Sequence, residues 1–149
     1  MSIFQTMVDF FTEDNWPFVA VEDVEMLRIP FNGENGHWMC TAVSKEDVHQ
    51  FAFYSTLLFN APEEKRMAVA EFITRANYGL IIGNWELDFD DGEIRYKTSL
   101  DIEGDEISTA LIKQVVHANV VITDKYFPGI VEIINNDMLP QEAITLVES

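Results

Sequence analysis

The sequence predicts an α+β fold, with one antiparallel sheet and helices packed on one face. The order is α-β-β-β-α-β-β-α, followed by a short C-terminal helix. Three observations predict it. Segments with apolar residues at helical spacing alternate with segments of period two. Residues 83–103 contain Asp91-Gly92, a two-residue turn signal with alternating residues on both sides, which reads as a hairpin. The predicted helices have apolar stripes that only a sheet can cover, which gives a sheet layer and a helix layer.

The first helix starts at Ser2-x-x-Gln5, a capping box. Phe4, Met7, Val8 and Phe11 share one face, and Pro17 marks the stop. Residues 18–21 read as a short edge strand. In the next strand Leu27, Ile29 and Phe31 alternate with Met26, Arg28 and Pro30. Residues 32–36, Asn-Gly-Glu-Asn-Gly, tolerate positive φ and read as a hairpin loop. Trp38, Cys40 and Ala42 then alternate with His37, Met39, Thr41 and Val43. Residues 45–49 read as a turn and residues 50–58 as a strand. Phe51, Phe53, Leu57 and Phe59 lie on one side of it, and Ala52, Tyr54 and Leu58 on the other. A strand apolar on both faces is expected to be covered on both, by helices on one side and by another subunit on the other.

The second helix runs from Pro62 to Asn77. Glu63 and Glu64 complement the dipole, Val69, Phe72, Ile73 and Ala76 face inward, and Asn77 and Gly79 supply the stop. In the hairpin, with Asp91 and Gly92 as the loop, Asp88 faces Arg95, Leu87 faces Tyr96, Glu86 faces Lys97 and Trp85 faces Thr98. That register sets apolar pairs on one face and acid–base pairs on the other. Asp105 or Ser108 caps a third helix lined by Ile107, Leu111, Val115, Ala118 and Ile122, which Pro128-Gly129 breaks or kinks. Ile130, Val131, Ile133 and Ile134 resume it as far as Asn135-Asn136. Pro140 opens the terminal helix, with Ala143, Ile144 and Val147 inward. With no repeat or linker, residues 1–149 read as one domain.

Composition narrows the function. The 149 residues hold 26 acids against nine Lys and Arg, a net charge of −17, with a pI near 4.2. Such a surface repels phosphate backbones and anionic lipid, which argues against nucleic-acid and membrane partners. No apolar run approaches the roughly 20 residues of a membrane span. The N-terminus lacks the features of a signal peptide, and the one cysteine forms no disulfide within the chain, so a cytoplasmic protein is expected.

The chemistry-bearing residues do not assemble into a signature. Asp88, Asp90, Asp91 and Glu93 crowd together, but glycine arrives at the fifth position rather than the sixth that a calcium loop needs, so a hairpin tip is the better reading. His37, His49 and His117 lie on different elements, without the close pairs of a zinc site. Cys40 in an apolar strand reads as a small core residue. There is no Gly-x-Ser-x-Gly elbow, phosphate loop or dinucleotide fingerprint. No catalytic residue, metal or cofactor is expected. With few cations present, Arg28, Arg66, Arg75 and Arg95 are each expected to be paired.

Residues 62–66 (Pro-Glu-Glu-Lys-Arg), 71–79 (Glu-Phe-Ile-Thr-Arg-Ala-Asn-Tyr-Gly), 83–95 and 124–128 (Asp-Lys-Tyr-Phe-Pro), in that order and spacing, resemble the YbjN family of bacterial proteins. The resemblance covers most of the chain. It implies the α+β fold of type III secretion chaperones and a role in bacterial sensory or stress regulation. That family has no established catalytic residues to carry over.

The expected function is a non-enzymatic protein-interaction or chaperone-like regulatory module, forming a homodimer and capturing an apolar or basic segment. Aromatic density supports it: Trp16, Phe18, Trp38, Phe53 and Tyr54 are candidates for exposure. The expected interface is Trp38, Phe51, Phe53, Tyr54 and Leu58. The alternative is a small-molecule-binding protein or enzyme using a cleft between sheet and helices.

Overall fold

The computed structural model describes residues 2–149. Six strands form one antiparallel sheet in the order β1-β2-β3-β4-β6-β5. They are β1 (Val19–Ala20), β2 (Met26–Asn32), β3 (His37–Lys45), β4 (Gln50–Leu57), β5 (Asn84–Leu87) and β6 (Ile94–Asp101). Four α-helices, α1 (Ile3–Glu13), α2 (Arg66–Gly79), α3 (Thr109–Asn136) and α4 (Pro140–Glu148), complete an α+β architecture in the expected order. Short 3-10 turns, Glu46–Val48 and Glu63–Lys65, precede β4 and α2.

Strand alternation decides where the core lies. Leu27, Ile29, Trp38, Cys40, Ala42, Phe51, Phe53, Leu57, Trp85, Ile94 and Tyr96 are buried beneath the helices. α3 packs on β4 and β6, α1 on β3, and α2 on β5. α4 closes the helical layer against α2 and α3.

The hairpin of β5 and β6 has the expected faces in a different register. Trp85 pairs with Tyr96 and Glu86 with Arg95, two residues from the expected alignment. The loop is longer than Asp91-Gly92. Asp88 N–H donates to Glu93 O, and Gly92 N–H to Asp88 O. A slip of two residues leaves every side chain on its original face, so the apolar and charged sides survive. Asp88 belongs to the loop and does not oppose Arg95.

α1 keeps half of the expected capping box. Gln5 N–H donates to Ser2 Oγ at 3.0 Å, whereas the Gln5 amide turns to Asp9. The helix ends before Pro17. Asn15 adopts φ 59°, Asn15 N–H bonds Thr12 O, and Trp16 N–H bonds Phe11 O, which is a Schellman stop. The buried face comprises Ile3, Thr6, Met7, Phe10 and Phe11, with Phe4 and Val8 half-buried. Apolar residues span more than one face here, so the tertiary partner selects the stripe. In α2 the stripe is Val69, Phe72, Ile73 and Ala76, as the spacing predicts.

α3 departs most from expectation. It runs unbroken through Pro128. Proline cannot bond the carbonyl four residues back, and that carbonyl, Asp124 O, instead accepts Asn35 Nδ2 at 3.1 Å from the β2–β3 loop. Gly129 lets α3 approach α2, because a Cβ there would meet the Phe72 ring at 2.6 Å. Of the five residues expected inward, only Val115 is buried. The true stripe includes Ile112, Val116, Val120, Phe127 and Ile130, together with two polar residues, Asn119 and Thr123, that an apolar count misses. In residues 32–36 no φ is positive. Gly36 instead serves close approach, since a Cβ would lie 2.4 Å from the Phe127 ring.

Candidate functional site

Among the described residues, alternation along each strand leaves the second face of the sheet without a helical layer, and this face is the candidate site. Its residues include Met26, Arg28 and Pro30 of β2, Met39, Thr41, Val43 and Lys45 of β3, and Gln50, Ala52, Tyr54 and Thr56 of β4. Glu86 of β5 and Arg95, Lys97, Ser99 and Asp101 of β6 complete it. Met26, Met39, Val43 and Tyr54 are half-buried, giving an apolar floor with a charged border.

The border is organised around one acid. Glu86 accepts Arg95 Nε at 2.7 Å and Lys97 Nζ at 2.9 Å. Burial pushes its carboxyl up, but these two cations outweigh it and hold it below the usual glutamate range. Arg95 also lies over the Tyr54 ring, 4.4 Å from its centroid. A recess of about 220 Å³ opens beside Tyr54, lined by Lys45, Gln50, Lys97, Ser99 and Asp101. It falls below the roughly 300 Å³ at which small-molecule pockets begin.

The five expected interface residues divide between the two faces. Trp38, Phe51 and Phe53 are sealed beneath the helices at 2%, 0% and 0% exposure. The period of two sends them inward, so the expectation that they meet a partner is corrected. Tyr54 lies on the open face, and Leu58, just beyond β4, is 60% exposed. Trp16 and Phe18 are half-buried against the core. The interval between sheet and helices, where a cleft would sit, is filled by these aromatic side chains: Phe11 stacks on Phe53, and Trp38 on Phe127.

The titratable residues are spread out. Among the described residues no three His, Cys, Asp or Glu side chains converge as a metal site would require. His117 Nε2 meets Asp14 Oδ2 at 3.1 Å, joining α3 to the end of α1. Hydrogen bonds from Trp16 and His117 lower the Asp14 carboxyl. Cys40 is fully buried beside Ser55 Oγ at 3.5 Å, and burial pushes its thiol up to about 12, away from nucleophile chemistry. The acids at the hairpin tip serve their own loop: Asp90 N–H donates to Asp88 Oδ1 and Glu93 N–H to Asp91 Oδ1.

The arginines meet different fates. Arg75 pairs with Glu71, and Arg95 with Glu86. Arg66 bonds two carbonyls, Ala61 O and Phe89 O, and so fastens the hairpin loop to the start of α2. Arg28 has no ion-pair partner among the described residues, against expectation. Sequence reasoning missed the buried amide of Asn119; the available clue was its helical phase with Ile112, Val116 and Ile130.

The fold and the open face define a class: a small α+β module built on one six-stranded sheet, with one side given to its own core and the other free. Solved structures share that fold. The crystal structure of YbjN from E. coli matches at TM-score 0.61 and 10% identity, over 97% of this chain and 86% of that one. A chain of the ExsC–ExsE complex matches at TM-score 0.55 and 7% identity, over 85% and 94%. A chain of the HopA1–SchA chaperone–effector complex matches at TM-score 0.47 and 16% identity, over 79% and 86%. No curated protein sequence matches the chain. The family model YbjN, described as "Putative bacterial sensory transduction regulator", matches residues 5–132, and the chain belongs to that family.

Proposed function

We propose that the chain is a non-enzymatic interaction module of a bacterial regulatory system, acting in the cytoplasm as one unit and holding a segment of another protein on its open sheet face. The single observation that carries this reading is that face: a floor of Met26, Met39, Val43, Ala52 and Tyr54 spanning three strands, with no helix of its own above it. Likeness in fold to a chain solved within a complex of two different proteins supports it. The test is recovery of bound proteins from a native extract by the wild type and by Val43→Asp. The variant is expected to lose a defined partner. Identical recovered sets would refute capture through this face.

The homodimer part of the reading rests on another surface. Tyr78 and Ile81 at the end of α2 are 97% and 92% exposed, and Met67 on the same helix is 74% exposed. Large apolar side chains this open suit a contact with a second copy. Light scattering is expected to give twice the 17.1 kDa chain mass, falling to one chain in Tyr78→Glu/Ile81→Glu. A wild type that stays monomeric as concentration rises removes this part.

A further inference from the structure

Resting on the reading of the open face as a binding surface, we infer that it selects an extended, acidic segment of a partner protein carrying apolar residues between its acids. The charge distribution leads there. Four of the chain's nine cations, Arg28, Lys45, Arg95 and Lys97, stand at strand positions of this face beside two acids, Glu86 and Asp101, while Asp88 and Glu93 join Glu86 and Arg95 at its β5–β6 end. Over β2, β3 and β4 the face therefore carries Arg28 and Lys45 and no acid, on an otherwise anionic molecule. Glu86 alone serves both Arg95 and Lys97, and Arg28 and Lys45 have no ion-pair partner among the described residues. A basic segment would meet repulsion here, contrary to the expectation from net charge.

Spacing fixes the ligand class. Arg28, Thr41, Tyr54 and Lys97 form one row across β2, β3, β4 and β6. At about 4.8 Å between strands, the two cations at its ends stand about 14 Å apart. Lys45 lies four residues further along β3 from Thr41, about 13 Å away. Between the row and Lys45 lie Met26, Val43 and Ala52. Lys45 and Lys97 line one recess, so a ligand that engages Arg28 as well has to span the apolar floor between them. An extended polypeptide covers about 14 Å in roughly four residues, so acids at that interval can engage the corners while intervening side chains rest on the floor. The recess beside Tyr54 has room for one side chain. Nucleic acid, a uniform polyanion longer than the face, is excluded by repulsion from the rest of the surface. A second copy packed face to face would bring two sets of these cations onto one surface, which disfavours it as the occupant.

The experiment is fluorescence anisotropy with three labelled peptides, Asp-Leu, Lys-Leu and Ser-Leu, that repeat Asp-Ser-Leu-Ser, Lys-Ser-Leu-Ser and Ser-Ser-Leu-Ser, so that the first residue and the leucine of each repeat share one face of the extended chain. The Asp-Leu peptide is expected to bind best and to weaken as salt rises. Arg28→Glu/Lys45→Glu breaks no ion pair of the fold and is expected to weaken it by about tenfold, with an unchanged thermal melt. Lys97→Gln should act in the same direction more weakly. Tighter binding of Lys-Leu, no binding by any of the peptides, or an unaltered Asp-Leu affinity in the double variant overturns the inference. Ser-Leu binding as well as Asp-Leu, and lost in Val43→Asp, also overturns it while leaving the face itself as a binding surface.

Discussion

Replacing Asn119 tests how the helical layer is keyed to the sheet. Its side chain is fully buried under β4 and β6. Nδ2 donates to Phe53 O at 3.0 Å, Tyr96 O at 3.1 Å and Thr98 Oγ1 at 3.2 Å. Oδ1 accepts Ser55 Oγ at 2.6 Å and Thr123 Oγ1 at 3.4 Å. Thr98 and Thr123 hold alternative acceptors, Val115 O and Asn119 O, so their hydroxyls survive the loss. The Ser55 hydroxyl keeps only Cys40 Sγ at 3.5 Å, a weak acceptor. Orphaning a buried hydroxyl costs about 1–3 kcal/mol. Asn119→Leu, which leaves little void, should therefore cost about 2 kcal/mol. Asn119→Ala adds a small cavity and should reach about 3 kcal/mol. At this chain length 3 kcal/mol corresponds to a fall of about 6–12 °C in Tm. Urea unfolding monitored by far-UV circular dichroism measures both. The decisive variant is Ser55→Ala/Asn119→Leu, because removing both partners leaves no orphan and should recover most of the Leu loss. If the double variant is as unstable as the sum of its parts, the orphaned hydroxyl is not the cause. An Asn119→Leu protein as stable as wild type would refute the keying role outright.

Glu46 accepts Ile3 N–H at 3.1 Å and Phe4 N–H at 2.8 Å, capping α1 from 42 residues away. Burial raises its carboxyl, but these two bonds, Ser44 and nearby His49 together bring it below the usual range. Because the folded state lowers this pKa, the stabilisation is complete above the ordinary glutamate range and disappears as pH falls through the folded value. Glu46→Gln should cost about 1 kcal/mol at pH 7, and the gap from wild type should close in acid, as read by urea midpoints across pH. Gly36→Ala drives a methyl into the Phe127 ring, which packs between Trp38 and Phe59. It should cost about 1–3 kcal/mol, measured by thermal unfolding. Cys40 should resist thiol reagents in the native protein and react at the rate of unfolding, because it is buried with its thiol at about 12. Rapid stoichiometric labelling without denaturant would contradict its placement.

Local signals carried a large part of this fold. Period-two alternation settled which side chains of β2, β3 and β4 share a face, since the pleat permits only two directions. Helical spacing settled the inward stripe of α2, Pro140 marked where α4 begins, and of the two caps offered for α3, Asp105 and Ser108, the structure uses Ser108. The cations of this face were partly latent in the sequence: Arg28, Arg95 and Lys97 occupy outward strand positions, whereas Lys45 fell among residues that read as a turn. Strand order was needed to show that they share one surface.

Tertiary structure alone decided the rest. The phase of α3 was hidden because the core accepts Asn119 and Thr123, whose polarity is satisfied only by groups far away in sequence. Pro128 stands inside a helix because Asn35 takes up the carbonyl that proline leaves free. The pairing of β5 with β6 shifted by two residues because Gly92 N–H and O are committed to Asp88 and Ala61, which enlarges the loop. The amino-acid order determined an acidic α+β chain with one sheet. Which apolar residues became core and which became surface depended on contacts between residues distant in the chain, and no local periodicity encodes those.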